Sequence, residues 1–119
     1  MSFLRSRWKS FGYAFRGVWL ILHTQPNAWI HLAATLLAIA LGIWAKLERG
    51  EWLWLITAIG IVWLAESLNT ALEFLCDALH PEQHPLIAKA KDTAAGAVLL
   101  AALTALIIGV IVFWPHVTN

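Results

Sequence analysis

Leu4, Trp8, Phe11, Phe15 and Trp19 recur at spacings of 4, 3, 4 and 4 residues, while Arg5, Arg7, Lys9 and Arg16 fall largely off that series. On a helix this spacing collects the apolar side chains into one stripe, so residues 2–23 are predicted to form an amphipathic helix lying in a membrane surface. Beyond the punctuation of Thr24, Gln25, Pro26 and Asn27 the pattern changes character. Apolar residues run almost unbroken over 28–47, close to the roughly 20 residues that cross the hydrocarbon of a bilayer, and Pro26 is well placed near the start of that helix.

Lys46, Glu48, Arg49, Gly50 and Glu51 make a polar turn, after which the chain is apolar again from Trp52 through Ala65. A polar face then begins and continues to Asp77. A helix over 52–79 at about 1.5 Å per residue reaches roughly 42 Å, which exceeds the hydrocarbon core and carries its last turns into the headgroup zone. His80, Pro81, His84 and Pro85 mark a short loop, and a third span is predicted over 92–114, apolar from Ala94 and ended by Pro115. The expected fold is therefore all-α, a single membrane domain over 1–119 with one surface helix and three transmembrane helices.

Lys and Arg orient these spans. Arg5, Arg7, Lys9 and Arg16 precede the first crossing and Lys89 and Lys91 precede the third, against Lys46 and Arg49 in the opposite loop, a balance of six to two. By the positive-inside rule the N-terminus is expected in the cytoplasm and the C-terminus outside. Trp29, Trp44, Trp52, Trp54 and Trp114 fall near span ends, where interfacial anchors belong.

Composition reinforces the bilayer reading, since 61% of the residues are hydrophobic and 13% charged, with a mean hydropathy of +0.72. That is too apolar for an ordinary water-soluble domain. A net charge of +1 argues against a nucleic-acid partner, which would need a basic face of many Lys and Arg. The single cysteine, Cys76, has no partner for an internal disulfide and reads as a small apolar filler. The basic N-terminal region lacks the compact apolar run and small-residue site of a cleaved signal, so it reads as part of the mature protein.

The chemistry concentrates in AESLNTALEFLCDAL, residues 65–79. At 100° per residue, Glu66, Asn69, Glu73 and Asp77 fall within an arc of about 80°, one polar wall on one helix. Ionised carboxylates facing lipid would cost about 2.5–3.5 kcal/mol each, so the wall is expected to face protein, water or a cation. The following loop returns AKAKDTAAGAV to the same side of the membrane, with Lys91 and Asp92 placed beside a helix N-terminus where phosphate oxygens can be held. Acids able to bind Mg²⁺ next to a Lys able to hold phosphate, beside lipid, suit phosphoryl transfer from a nucleotide to a membrane-embedded acceptor.

Other readings fit the same residues. The wall could glue helices together, or line the pore of a small cation-conducting protein, although acids clustered toward one face suit a pore poorly. His31, in the first span, reads more readily as a packing or hydrogen-bonding residue than as a ligand. The sequence carries neither a P-loop nor a protein-kinase catalytic loop, so a nucleotide site here is of another design.

The pattern AESLNTALEFLCDALHPEQHPLIAKAKDTAAGAVL resembles the signature of the small prokaryotic diacylglycerol kinase family, which includes undecaprenol kinases, and the likeness extends back to KSFGYAFRG. The resemblance implies a homotrimer with active sites shared between neighbouring subunits in the bacterial cytoplasmic membrane, using Mg²⁺ and ATP to phosphorylate a lipid alcohol. It assigns Glu66 as the catalytic base, Glu73 as a metal-holding carboxylate, and Asn69 and Asp77 as organisers of the wall. Lys91 and Asp92 match the nucleotide-binding pair, with Tyr13 and the loop residues Glu82, Gln83 and His84 contributing to ATP.

Two positions depart from that pattern. Gln25 stands where the family commonly has a metal-binding Glu; its amide offers an oxygen without the negative charge, which bears on metal affinity and number. Trp29 replaces a basic or polar residue. Asn27 and His31, counted with the polar wall and substrate site, and His84-Pro85-Leu86 lean toward the undecaprenol kinase branch. A family member made inactive by Gln25 and retained as a structural subunit is a further alternative.

Overall fold

The computed structural model describes residues 2–79 and 84–118. Among these residues the regular structure is helical: α1 (Ser2–Thr24), α2 (Pro26–Ala45), α3 (Arg49–Leu79) and α4 (Pro85–Thr118). The last three are long and apolar enough to cross a membrane. Together the helices form a slab of 54 × 46 × 21 Å.

A single residue separates α1 from α2. Gln25 precedes a proline, whose ring crowds the α-helical region of the residue before it, and it adopts φ −114°, ψ 110°. Pro26 then occupies the first turn of α2, where its missing N–H costs no helical bond. On α1 the apolar stripe is exposed, with Phe3, Trp8 and Phe15 each more than two-thirds accessible, and Ile21 is the residue it buries. That is the side-chain distribution of a helix whose greasy side meets lipid.

α2 ends on Lys46 in the left-handed region (φ 55°, ψ 53°), with Leu47 N–H donating to the Gly42 carbonyl at 3.2 Å and Lys46 N–H to that of Ile43 at 3.2 Å. This closure satisfies carbonyls that a helix end otherwise leaves open, and it folds Leu47 inward. Leu47 packs with Leu55 and Val112 into a buried cluster, flanked by Trp52, Ile59 and Phe113. Gly42 is required there: a Cβ on it would lie 2.6 Å from Trp52 Cη2 and 3.1 Å from Leu47 Cδ1.

α3 opens with half of a capping box. Glu48 N–H donates to Glu51 Oε1 at 3.0 Å, while Trp52 N–H closes the first turn on the Glu48 carbonyl at 3.0 Å. The other Glu51 oxygen, Oε2, lies 2.7 Å from His116 Nε2, tying the start of α3 to the end of α4. These two antiparallel helices are the most closely packed pair in the protein.

α4 runs further than its apolar stretch at both ends. It begins at Pro85 rather than near residue 92, because Pro85 is itself a good first helical residue and His84 caps it, Nδ1 accepting Leu86 N–H at 3.1 Å. It also continues through Pro115 to Thr118, where the expectation was that Pro115 ends the helix. The proline costs one backbone bond, the one its N–H would have made to the Ile111 carbonyl, and only about one turn of helix lies beyond it.

Candidate active site

The four wall residues share one side of α3, and their exposure rises steadily along it. Glu66 is 2% accessible, Asn69 and Glu73 are half-buried and Asp77 is exposed. Eleven residues of helix, about 17 Å of rise, therefore carry a row of acids from a dry interior to open water.

At the dry end Glu66 meets His31. The Glu66 Oε2 to His31 Nε2 distance is 3.2 Å, across 35 residues of sequence. An ionised carboxylate can only accept, so Nε2 carries the hydrogen in that bond. Trp63 flanks the imidazole, its ring edge-on to His31 with centroids 6.2 Å apart; its Nε1 donates to Thr35 Oγ1 at 2.9 Å, and Thr35 Oγ1 donates to the His31 backbone carbonyl at 2.7 Å. Thr70, one turn beyond Glu66 and also buried, donates its hydroxyl to the Glu66 carbonyl at 2.9 Å. Burying a carboxylate this deeply is costly unless polar partners replace the water it has lost.

Midway along the row, Asn69 Nδ2 donates to Glu73 Oε1 at 3.3 Å. Asn69 Oδ1 is buried and has no hydrogen-bond partner among the described residues. An orphaned amide oxygen beside a carboxylate is a donor set suited to a hard cation such as Mg²⁺. At the wet end Lys91 Nζ lies 2.6 Å from Asp77 Oδ1.

Lys91 and Asp92 do not sit beside a helix N-terminus as expected; they lie within α4, beyond its first turn, so whatever phosphate affinity Lys91 has comes from its own ammonium group rather than from free backbone N–H groups. Tyr13 is 63% accessible on α1, with the Arg16 guanidinium 5.7 Å from its ring centroid. Gln25, half-buried, caps α2 through its backbone carbonyl, which accepts Ala28 N–H at 3.0 Å, and its side chain makes no capping bond. Asn27 is exposed on the first turn of α2. Glu82 and Gln83 lie outside the described residues. Among the described residues no three His, Cys, Asp or Glu side chains cluster with metal-binding geometry.

Thr35 and Trp63 were not singled out in the sequence. Their only signal there is register, Thr35 one turn after His31 on α2 and Trp63 one turn before Glu66 on α3. Beside this network, α2, α3 and α4 enclose an apolar groove of about 520 Å³ whose walls include Ala38, Ala58, Ala105 and Gly109, and His31 is part of its lining.

The prokaryotic diacylglycerol kinase family model matches residues 12–113. The chain is 39% identical over 107 residues to the undecaprenol kinase of Bacillus subtilis (strain 168), covering 90% of this chain and 87% of that protein. It is 32% identical over 115 residues to the diacylglycerol kinase of Escherichia coli (strain K12), covering 91% and 88%. With a diacylglycerol kinase of Synechocystis it shares 41% over 101 residues, 84% of this chain and 58% of the other. The graded row of acids on α3 facing the Lys91 end of α4 thus sits in a chain that belongs to the prokaryotic diacylglycerol kinase family.

Proposed function

We propose that the protein is an integral-membrane lipid kinase that transfers the γ-phosphoryl group of ATP to the hydroxyl of a membrane lipid alcohol, undecaprenol or diacylglycerol. The observation that carries this reading is the gradient along α3, from buried Glu66 to the solvent-facing Asp77–Lys91 pair. A lipid hydroxyl belongs at the dry end and a nucleotide at the wet end.

In this reading Glu66 provides the basicity that removes the hydroxyl proton, the lipid oxygen forms a bond to the γ-phosphorus, and the bond from that phosphorus to the oxygen of ADP breaks. Lys91, Asp92 and Tyr13 hold the nucleotide, joined by Glu82, Gln83 and His84 of the connecting loop. Glu73 and the Asn69 amide oxygen would hold Mg²⁺, with Gln25 as a neutral oxygen donor in place of a carboxylate. Bound there, Mg²⁺ neutralises charge on the phosphates. Positioning and charge neutralisation supply the rate, and no covalent enzyme intermediate is needed.

The working form in this reading is a homotrimer in the bacterial cytoplasmic membrane, with neighbouring subunits completing each site and the N-terminus in the cytoplasm. Its membrane setting is supported by the three long apolar helices. The deciding experiment is a mixed-micelle assay with labelled ATP and Mg²⁺, offering undecaprenol and diacylglycerol in competition. ATP-dependent label in the extracted lipid is the expected result. Cation flux through liposomes without ATP, coupled with no labelled lipid, would overturn the proposal in favour of a conducting protein.

A further inference from the structure

Glu66 is not the group that a lipid arriving from the apolar groove meets first. The carboxylate is 2% accessible and its one side-chain partner among the described residues is His31, whose own side chain is 18% exposed and lines the groove. The imidazole stands between the groove and the acid. With Glu66 ionised, the 3.2 Å contact between His31 Nε2 and Glu66 Oε2 places the ring hydrogen on Nε2 and leaves the lone pair on Nδ1; among the described residues Nδ1 has no hydrogen-bond partner. The α4 side chains facing this space, among them Ala102, Ala105 and Leu106, are apolar, so no second ionisable group competes for the proton there. The Trp63 ring stands edge-on to the imidazole, and its indole N–H is anchored on Thr35 of α2.

A carboxylate that accepts from one imidazole nitrogen makes the other nitrogen a better base and stabilises the imidazolium that forms. We infer that His31 and Glu66 act as a dyad in which His31 Nδ1 takes the proton of the lipid hydroxyl and Glu66 orients and charge-balances the ring. The inference rests on the lipid-kinase reading above and refines which atom meets the acceptor. The balance is complete: the hydroxyl proton passes to Nδ1, the freed oxygen pair forms the bond to the γ-phosphorus, the electron pair of the breaking bond leaves on ADP, and the imidazolium returns its proton to solvent after product departs.

The test uses the full-length protein in mixed micelles. His31→Gln keeps an amide N–H for Glu66 but has no basic nitrogen, so kcat should fall by about 10²–10⁴-fold, the usual contribution of a general base, with KM for ATP unchanged. Added imidazole should restore part of the lost turnover in His31→Ala, a readout that a purely structural histidine would not give. Near-parental kcat in His31→Gln alongside an inactive Glu66→Gln would overturn the dyad and leave Glu66 acting on the hydroxyl directly. Absence of imidazole rescue in a His31→Ala protein whose melting and gel-filtration profile match the parent would overturn it as well. Failure of the parent protein itself to label lipid is a different result, which removes the kinase reading rather than this refinement of it.

Discussion

Lys91 Nζ and Asp77 Oδ1 lie 2.6 Å apart, so an ion pair bridges α3 and α4 at the exposed end of the carboxylate row. Both side chains are well exposed, at 40% and 62%, so solvent screens the pair and leaves it little weight in stability. Lys91→Met should therefore leave the thermal midpoint in detergent nearly unchanged while raising KM for ATP by about tenfold or more. A variant with unchanged KM would show that Lys91 does not contribute to nucleotide binding.

At the buried end the expectation is different in kind. Glu66→Gln has almost the same volume as the native residue and can still bond to His31, so the fold should survive and transfer from labelled ATP to lipid should be lost. Undiminished transfer in a correctly assembled Glu66→Gln protein would take Glu66 out of the chemistry altogether.

Gln25 makes the metal requirement a sensitive probe. Adding a charged oxygen donor through Gln25→Glu should lower the Mg²⁺ concentration for half-maximal rate by on the order of tenfold. Chelation of Mg²⁺ should abolish lipid labelling in both proteins, and titrations of rate against free Mg²⁺ that superimpose would show that position 25 does not reach the metal.

Lys46 adopts φ 55° at the end of α2, a conformation that costs a residue with a Cβ about 1–2 kcal/mol and glycine very little. Lys46→Gly should raise stability by about 0.5–1 kcal/mol, read as a higher melting midpoint in detergent. Lower stability would mean that the Lys46 side chain contributes more at the interface than its backbone costs.

The opposite outcome is expected four residues earlier. Gly42→Ala places a methyl group 2.6 Å from the Trp52 ring, and overpacking of that order destabilises by about 1–3 kcal/mol. Trp52→Leu in the same chain should recover part of the loss, because the clash is with the far end of that ring. A Gly42→Ala protein as stable as the parent would show that the α2–α3 turn shifts freely.

The sequence carries the helices more completely than their partnerships. Unbroken apolar runs and the 4, 3, 4, 4 stripe of α1 identify four helical elements, because bilayer thickness and helical periodicity both act within a segment. The wall of Glu66, Asn69, Glu73 and Asp77 is legible for the same reason. What pairs across segments is not: nothing in the spacing links His31 to Glu66, 35 residues away, since that contact depends on the register of α2 against α3. The early start of α4 at Pro85 was hidden because Lys89, Lys91 and Asp92 look like an interface, whereas a helix that protrudes from the bilayer carries charges without ending. Pro115 misled in the other direction, as its usual helix-breaking effect fades within the last turn.

The near-complete burial of Glu66 has a bearing on energy economy in the cell. Any kinase holds an activated phosphoryl group within reach of 55 M water, and a base open to solvent would activate a water molecule as readily as an alcohol. Here the acid is 2% exposed behind the His31 imidazole, which itself lines an apolar groove, so in the proposed reaction the acceptor that reaches this pair is one that arrives dissolved in lipid. On the proposed mechanism, idle ATP hydrolysis would be suppressed by the solvent in which the reaction is conducted.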